Sequence, residues 1–106
     1  MTYDEVVQLA LGLPDTEEGT SYGTPGVKRK KRFMFRLKED GESIAIKLDW
    51  PTHDRLLAEH PDLYFKTPHY EGYPAFLARF ELMNEAQAKE LLTASWEDAP
   101  RKANKG

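Results

Sequence analysis

The chain has 106 residues, 40% hydrophobic and 31% charged, which suits one compact domain and leaves no room for a second. It contains no cysteine, so disulfides, thiol nucleophiles and cysteine-bound zinc are excluded and a cytoplasmic location is the expectation. Its longest charge-free stretches, Val6 to Pro14 and Gly19 to Val27, fall far short of the roughly 20 apolar residues a membrane helix needs, and the acidic opening Met-Thr-Tyr-Asp-Glu does not read as a signal peptide.

Thr2 and Glu5 form a capping box, and Tyr3, Val6, Val7, Ala10 and Leu13 recur at helical steps until Gly12 and Pro14 end the helix. Asp15 to Gly26 is rich in turn residues and has room for one short strand around Thr20 to Tyr22. Phe33, Phe35 and Leu37, then Asp40-Gly41, then Ile44, Ile46 and Leu48 alternate with polar residues, the pattern of a hairpin with one buried face. Asp49 caps a second helix with Pro51 in its first turn, and Pro61 stops it after His60. Leu63 to Thr67 reads as a short strand, Pro68 to Pro74 as an aromatic loop, and Ala75 to Leu82 as a strand burying Phe76, Ala78, Phe80 and Leu82. Asn84 and Gln87 cap a last helix that carries Leu92 and Trp96 inward and is expected to end at Pro100. The expectation is therefore a single domain over 1–100 and a polar frayed tail over 101–106. Its class is α+β, an antiparallel sheet of order α-β(3)-α-β(2)-α with helices layered against it, because the connections among the first three strands are too short for parallel crossovers.

Net charge is −3, yet Lys28-Arg29-Lys30-Lys31-Arg32 holds five of the 15 basic residues. Such a ribbon can contact phosphates through Lys28, Arg29, Lys30, Lys31 and Arg32, or it can be a solvated turn that protects a sheet edge. The segment Lys66-Thr67-Pro68-His69-Tyr70-Glu71-Gly72-Tyr73-Pro74 concentrates aromatic and titratable groups. With Tyr22 and Lys47, the residues Lys66, His69, Tyr70 and Tyr73 can wall a ligand pocket; alternatively the tyrosines fold back over the sheet.

Gly19-Thr20-Ser21-Tyr22-Gly23 matches G-x-S-x-G, but no helix can follow it at Thr24-Pro25-Gly26, so no catalytic serine is expected. His53 and His60 stand seven residues apart, about 10.5 Å along a helix, too far to share an ion bound about 2.1 Å from each nitrogen. No phosphate-cradling glycine motif occurs. These absences lead to a non-enzymatic binding module with no metal and no cofactor, whose partner is nucleic acid, a small molecule or a protein.

Leu13-Pro14 followed by Glu17-Glu18, Tyr22-Gly23-Thr24-Pro25, Lys47-Leu48-Asp49, Thr67-Pro68-His69-Tyr70-x-Gly72-Tyr73-Pro74 and Trp96 together resemble the MmcQ/YjbR-like family, across about residues 2 to 99. The resemblance implies a two-layer α-β(3)-α-β(2)-α arrangement, called a double wing or compared with secretion chaperones. It also implies a DNA-binding role by analogy with a phage transcription factor's DNA-contacting domain, and it brings no catalytic residues with it.

Overall fold

The computed structural model describes the backbone over residues 1–102 and side chains over 1–99. Helix α1 (Tyr3–Leu11) opens on the expected capping box, with the Thr2 hydroxyl accepting from the Glu5 amide and the Glu5 carboxylate accepting from the Thr2 amide. Four strands follow, β1 (Thr16–Ser21), β2 (Thr24–Arg29), β3 (Arg32–Leu37) and β4 (Ser43–Lys47), then α2 (Trp50–Glu59), β5 (Tyr64–Phe65), β6 (Ala75–Arg79) and α3 (Glu85–Lys102). The α+β class with helices on an antiparallel sheet is as expected, with one more strand before α2 than the sequence suggests. Pro25 and Gly26 hide β2, which pairs with β1 from Thr16↔Arg29 to Ser21↔Thr24.

All six strands form one antiparallel sheet in the order β1-β2-β3-β4-β6-β5. Paired residues share a face, so Val27, Phe35, Ile46 and Phe76 point one way, with Leu37, Ile44, Ala78 and Tyr64 beside them. All three α-helices bury their apolar residues against this side, among them Val6, Ala10, Leu56, Leu91 and Leu92. Tyr3 of α1 meets the Phe35 ring edge-on at 6.4 Å, and His53 of α2 lies 5.5 Å from Phe76.

Phe33 is not part of that core, contrary to the alternation read from the sequence. β2 pairs Val27 with Phe35 but Lys28 with Phe33, leaving Met34 as the extra residue of a β-bulge. Met34 and Phe35 are both buried as a result, and Phe33 joins Lys28 on the opposite face. Gly26 lies across from the bulge, where an added Cβ would collide with the Phe35 carbonyl oxygen.

The strand expected over Ala75 to Leu82 stops at Arg79. Phe80–Leu82 form a 3-10 turn that buries Phe80 and leaves Leu82 exposed. Helix α3 starts on a reciprocal Asn84–Gln87 cap and continues through Pro100 to Lys102, past the expected stop. Proline offers no N–H to the carbonyl four residues back, which is Trp96. That carbonyl instead accepts from Arg29 Nη1 at 2.8 Å. Of the tail expected over 101–106, residues 101–102 are helical and 103–106 lie outside the described residues. No helix of the described residues is long and apolar enough to cross a membrane.

Candidate functional site

The sheet face away from the helices carries Phe33, Arg36, Ala45, Lys47, Ala75, Leu77 and Phe65. Over part of it lies a concavity of about 730 Å³, lined on one side by Ser21 and Tyr22 and on the other by His69, Tyr70 and Tyr73. Two loops make its rims. Each is shaped by local chemistry that can be read from the chain.

The first rim is the two-residue turn joining β1 to β2. Tyr22 and Gly23 have φ of 54° and 81°, as a type I′ hairpin turn requires. Glycine adopts that conformation without strain, whereas a tyrosine held there costs about 1 kcal/mol or more, and asparagine or aspartate is the usual occupant. The Tyr22 side chain is nevertheless 85% exposed and buries little in return. The second rim is the loop over 66–74, in which Pro68–Tyr70 form a 3-10 turn and Gly72, at φ 82°, reverses the chain. The Leu48 amide donates to the Pro74 carbonyl at 2.9 Å and ties the loop's end to β4.

Cations of β3 and its following turn sit against both rims. The Arg36 guanidinium lies 5.1 Å from the Tyr22 ring centre and donates to Thr24 Oγ1 at 3.1 Å, and its side chain is only 14% exposed. Lys38 Nζ is 3.4 Å from the Tyr70 hydroxyl and 5.5 Å from its ring centre. Glu39 is the one carboxylate in the lining; it stands 3.4 Å from both Arg36 and Lys38. A hydrogen bond from its own backbone amide, then the Arg36 and Lys38 charges, hold its carboxyl below the usual carboxylate range, so it stays ionised at neutral pH. Lys47, at the end of β4, is an exposed cation in the lining with no acidic partner among the described residues.

Of the six residues singled out as a pocket, Tyr22, Lys47, His69, Tyr70 and Tyr73 line this concavity. Lys66 does not. Strand β5 alternates Tyr64 to the helix side and Phe65 to the open side, which sends Lys66 back toward α2. There Nζ lies 3.1 Å from His53 Nε2 and donates to the Tyr73 carbonyl at 2.7 Å. Arg36 does not stand out in the sequence, because an arginine alternating with core residues reads as a solvated position; its one signal is the Tyr22-Gly23 turn opposite it.

The basic run is divided in its roles. Lys28 and Arg29 end β2, Lys30 and Lys31 form the turn with Lys30 at φ 58°, and Arg32 starts β3. Arg29, expected as a phosphate contact, is instead part of the packing: its guanidinium carbon lies 3.7 Å from the Trp96 ring centre. Lys28 lies on the open face, 5.9 Å from the Phe33 ring centre. Lys30, Lys31 and Arg32 are exposed at the tip.

Ser21 ends a hairpin strand, its carbonyl accepting from the Thr24 hydroxyl, and no helix follows it. His53 and His60 lie at opposite ends of α2, and His60 Nε2 sits 3.3 Å from Glu90 Oε1. Glu59, His60 and Glu90 bring ligand atoms within 4.8 Å of one another. Arg55 Nη1, at 3.2 Å and 3.7 Å from the two glutamates, already supplies that group with a counter-ion.

No family model matches the chain, and no solved structure matches it. It is similar to three mycobacterial proteins, each 28% identical over 110 aligned positions that cover 90% of this chain and 85% of theirs. They are named Uncharacterized protein Mb2600 of Mycobacterium bovis, and Uncharacterized protein MT2646 and Uncharacterized protein Rv2570 of Mycobacterium tuberculosis.

Proposed function

We propose that the protein is a binding module that holds a small planar anion on the open face of its sheet. The observation that carries this reading is Arg36, a largely buried guanidinium beneath a concavity of about 730 Å³ with tyrosines on both rims. That volume lies within the range of small-molecule sites, about 300 to 1,000 Å³. Tyr22, Tyr70 and Tyr73 offer ring faces for stacking, while Arg36 and Lys47 supply positive charge against a single lining carboxylate on a chain of net charge −3. The strained backbone at Tyr22 supports the same reading, since it keeps an 85% exposed ring at the rim of the concavity at a conformational cost.

This reading is favoured over a basic ribbon gripping duplex DNA, because Arg29 is committed to Trp96 and the tip is left with Lys30, Lys31 and Arg32. The test is an NMR titration of the protein with 1-naphthoate. Amides of Tyr22, Arg36, Lys47 and Tyr70 are expected to shift together and saturably. Shifts confined to the helix side, or none at millimolar probe, contradict the proposal.

A further inference from the structure

We propose that His53 and Lys66 form an acid-sensitive latch on the aromatic loop, so that protonation of His53 releases residues 66–74 and opens the concavity they wall. The consequence for binding rests on the reading above; the latch itself rests on separate geometry.

His53 is 2% exposed in the first part of α2. Two charged groups meet its ring, Asp54 Oδ1 at 2.9 Å from Nδ1 and Lys66 Nζ at 3.1 Å from Nε2. The rest of its surround is apolar, with Trp50 edge-on at 5.1 Å and Phe76 at 5.5 Å, and its amide donates to the carbonyl of Asp49, the helix cap. A lysine ammonium has three donors and no acceptor. Its contact with Nε2 therefore needs a lone pair on that nitrogen, which places the single ring proton on Nδ1, donated to Asp54. Two partners thus fix the tautomer that this geometry accommodates.

Lys66 uses another N–H on the Tyr73 carbonyl, and its ammonium lies 5.3 Å from the centre of the Trp50 ring. One side chain thereby joins a neutral imidazole in the core to the backbone of a residue in the concavity wall. A proton added at Nε2 removes the acceptor and places two positive charges 3.1 Å apart. Asp54 stays on the far nitrogen and balances the imidazolium, so Lys66 is the partner that leaves. The Tyr73 backbone is then no longer held against α2.

The test is ¹⁵N relaxation of the non-proline amides over 66–74 in the ligand-free protein, followed from about pH 8 to about pH 5. Order parameters are expected to fall from about 0.85 to below about 0.6 across that range, and to be low throughout in Lys66→Met. The fall is expected to persist in His69→Gln, since His69 is an exposed imidazole on the loop itself. Constant order parameters in the wild type, or a fall abolished by His69→Gln, overturn the latch. A parallel titration with 1-naphthoate separates the two proposals. Loop release without binding at either pH removes the binding reading and leaves the latch; binding unchanged by loop release removes the coupling between them.

Discussion

Arg29 gives the Trp96 carbonyl the hydrogen bond that Pro100 cannot, from 2.8 Å, while its guanidinium carbon lies 3.7 Å from the indole centre of the same residue. The indole Nε1 in turn donates to the Pro14 carbonyl at 2.8 Å. One tryptophan thus ties α3 to the link between α1 and β1, and one arginine of β2 lets the helix run through a proline. Arg29→Ala is expected to cost about 2 to 3 kcal/mol, because it removes a charge-assisted hydrogen bond and a cation–π interaction together. Lys31→Ser, at the exposed tip, should change stability by less than about 0.5 kcal/mol. Urea unfolding midpoints decide this, and equal effects of the two substitutions contradict the assignment.

The bulge at Met34 inverts what alternation implies about its neighbours. Met34→Ala should cost about 2 to 4 kcal/mol as a core truncation, and Phe33→Ala clearly less, because Phe33 is only half-buried on the open face. Gly26→Ala should destabilise as well, since its Cβ meets the backbone of β3 rather than a movable side chain. If Phe33→Ala proves the most damaging of the three, the register is wrong.

Two tyrosines with buried hydroxyls, the half-buried Tyr3 and the buried Tyr64, make stability sensitive to alkali. Burial first, then the charges of Glu18 and Asp4, push the Tyr3 hydroxyl from 10 up to about 12, and burial followed by Glu90 does the same for Tyr64. Folding raises both values, so their contribution is complete below about pH 10 and is lost as pH rises toward about 12. Neither hydroxyl has a hydrogen-bond partner among the described residues. Tyr64→Phe is therefore expected to stabilise the protein by about 1 kcal/mol at neutral pH and to make the alkaline decline shallower. Thermal melts from about pH 8 to about pH 12 measure both; a destabilised variant with an unchanged alkaline limb contradicts the account.

Much of the fold was legible because it depends on local chemistry. Both reciprocal caps, Thr2 with Glu5 and Asn84 with Gln87, form as their spacing requires, and the Asp40-Gly41 turn joins β3 to β4 with Asp40 accepting from the Glu42 amide. What escaped were departures from periodicity decided by contacts with another element of the fold. The bulge that sends Phe33 outward exists only through pairing with Val27 and Lys28. Where α3 passes Pro100, the carbonyl left without its helical donor is met by Arg29, 67 positions before Trp96. For the site, the aromatic loop announced itself by composition, whereas the place of Lys66 depends on the parity of β5, a strand of two residues that periodicity cannot fix.

Duplex DNA should perturb at most the turn residues Lys30, Lys31 and Arg32 together with Lys28, and only at low salt. With Arg29 engaged, four cations remain, so the logarithm of affinity should fall against log salt no more steeply than about −3.6. Replacing Lys30, Lys31 and Arg32 with serine while keeping Arg29 should abolish that response without loss of fold. A steeper slope, or binding that survives the replacement, restores the ribbon as the principal surface.

Two probes with the same ring and opposite charge, 1-naphthoate and 1-naphthylmethylamine, compared by NMR titration at fixed salt, report the sign of charge the concavity prefers. A site built on Arg36 and Lys47 should bind the carboxylate at least about tenfold more tightly, and Lys47→Glu should shrink or reverse the preference. Equal affinity for the two probes, or a preference for the amine in the wild-type protein, contradicts an anion site on this face of the sheet.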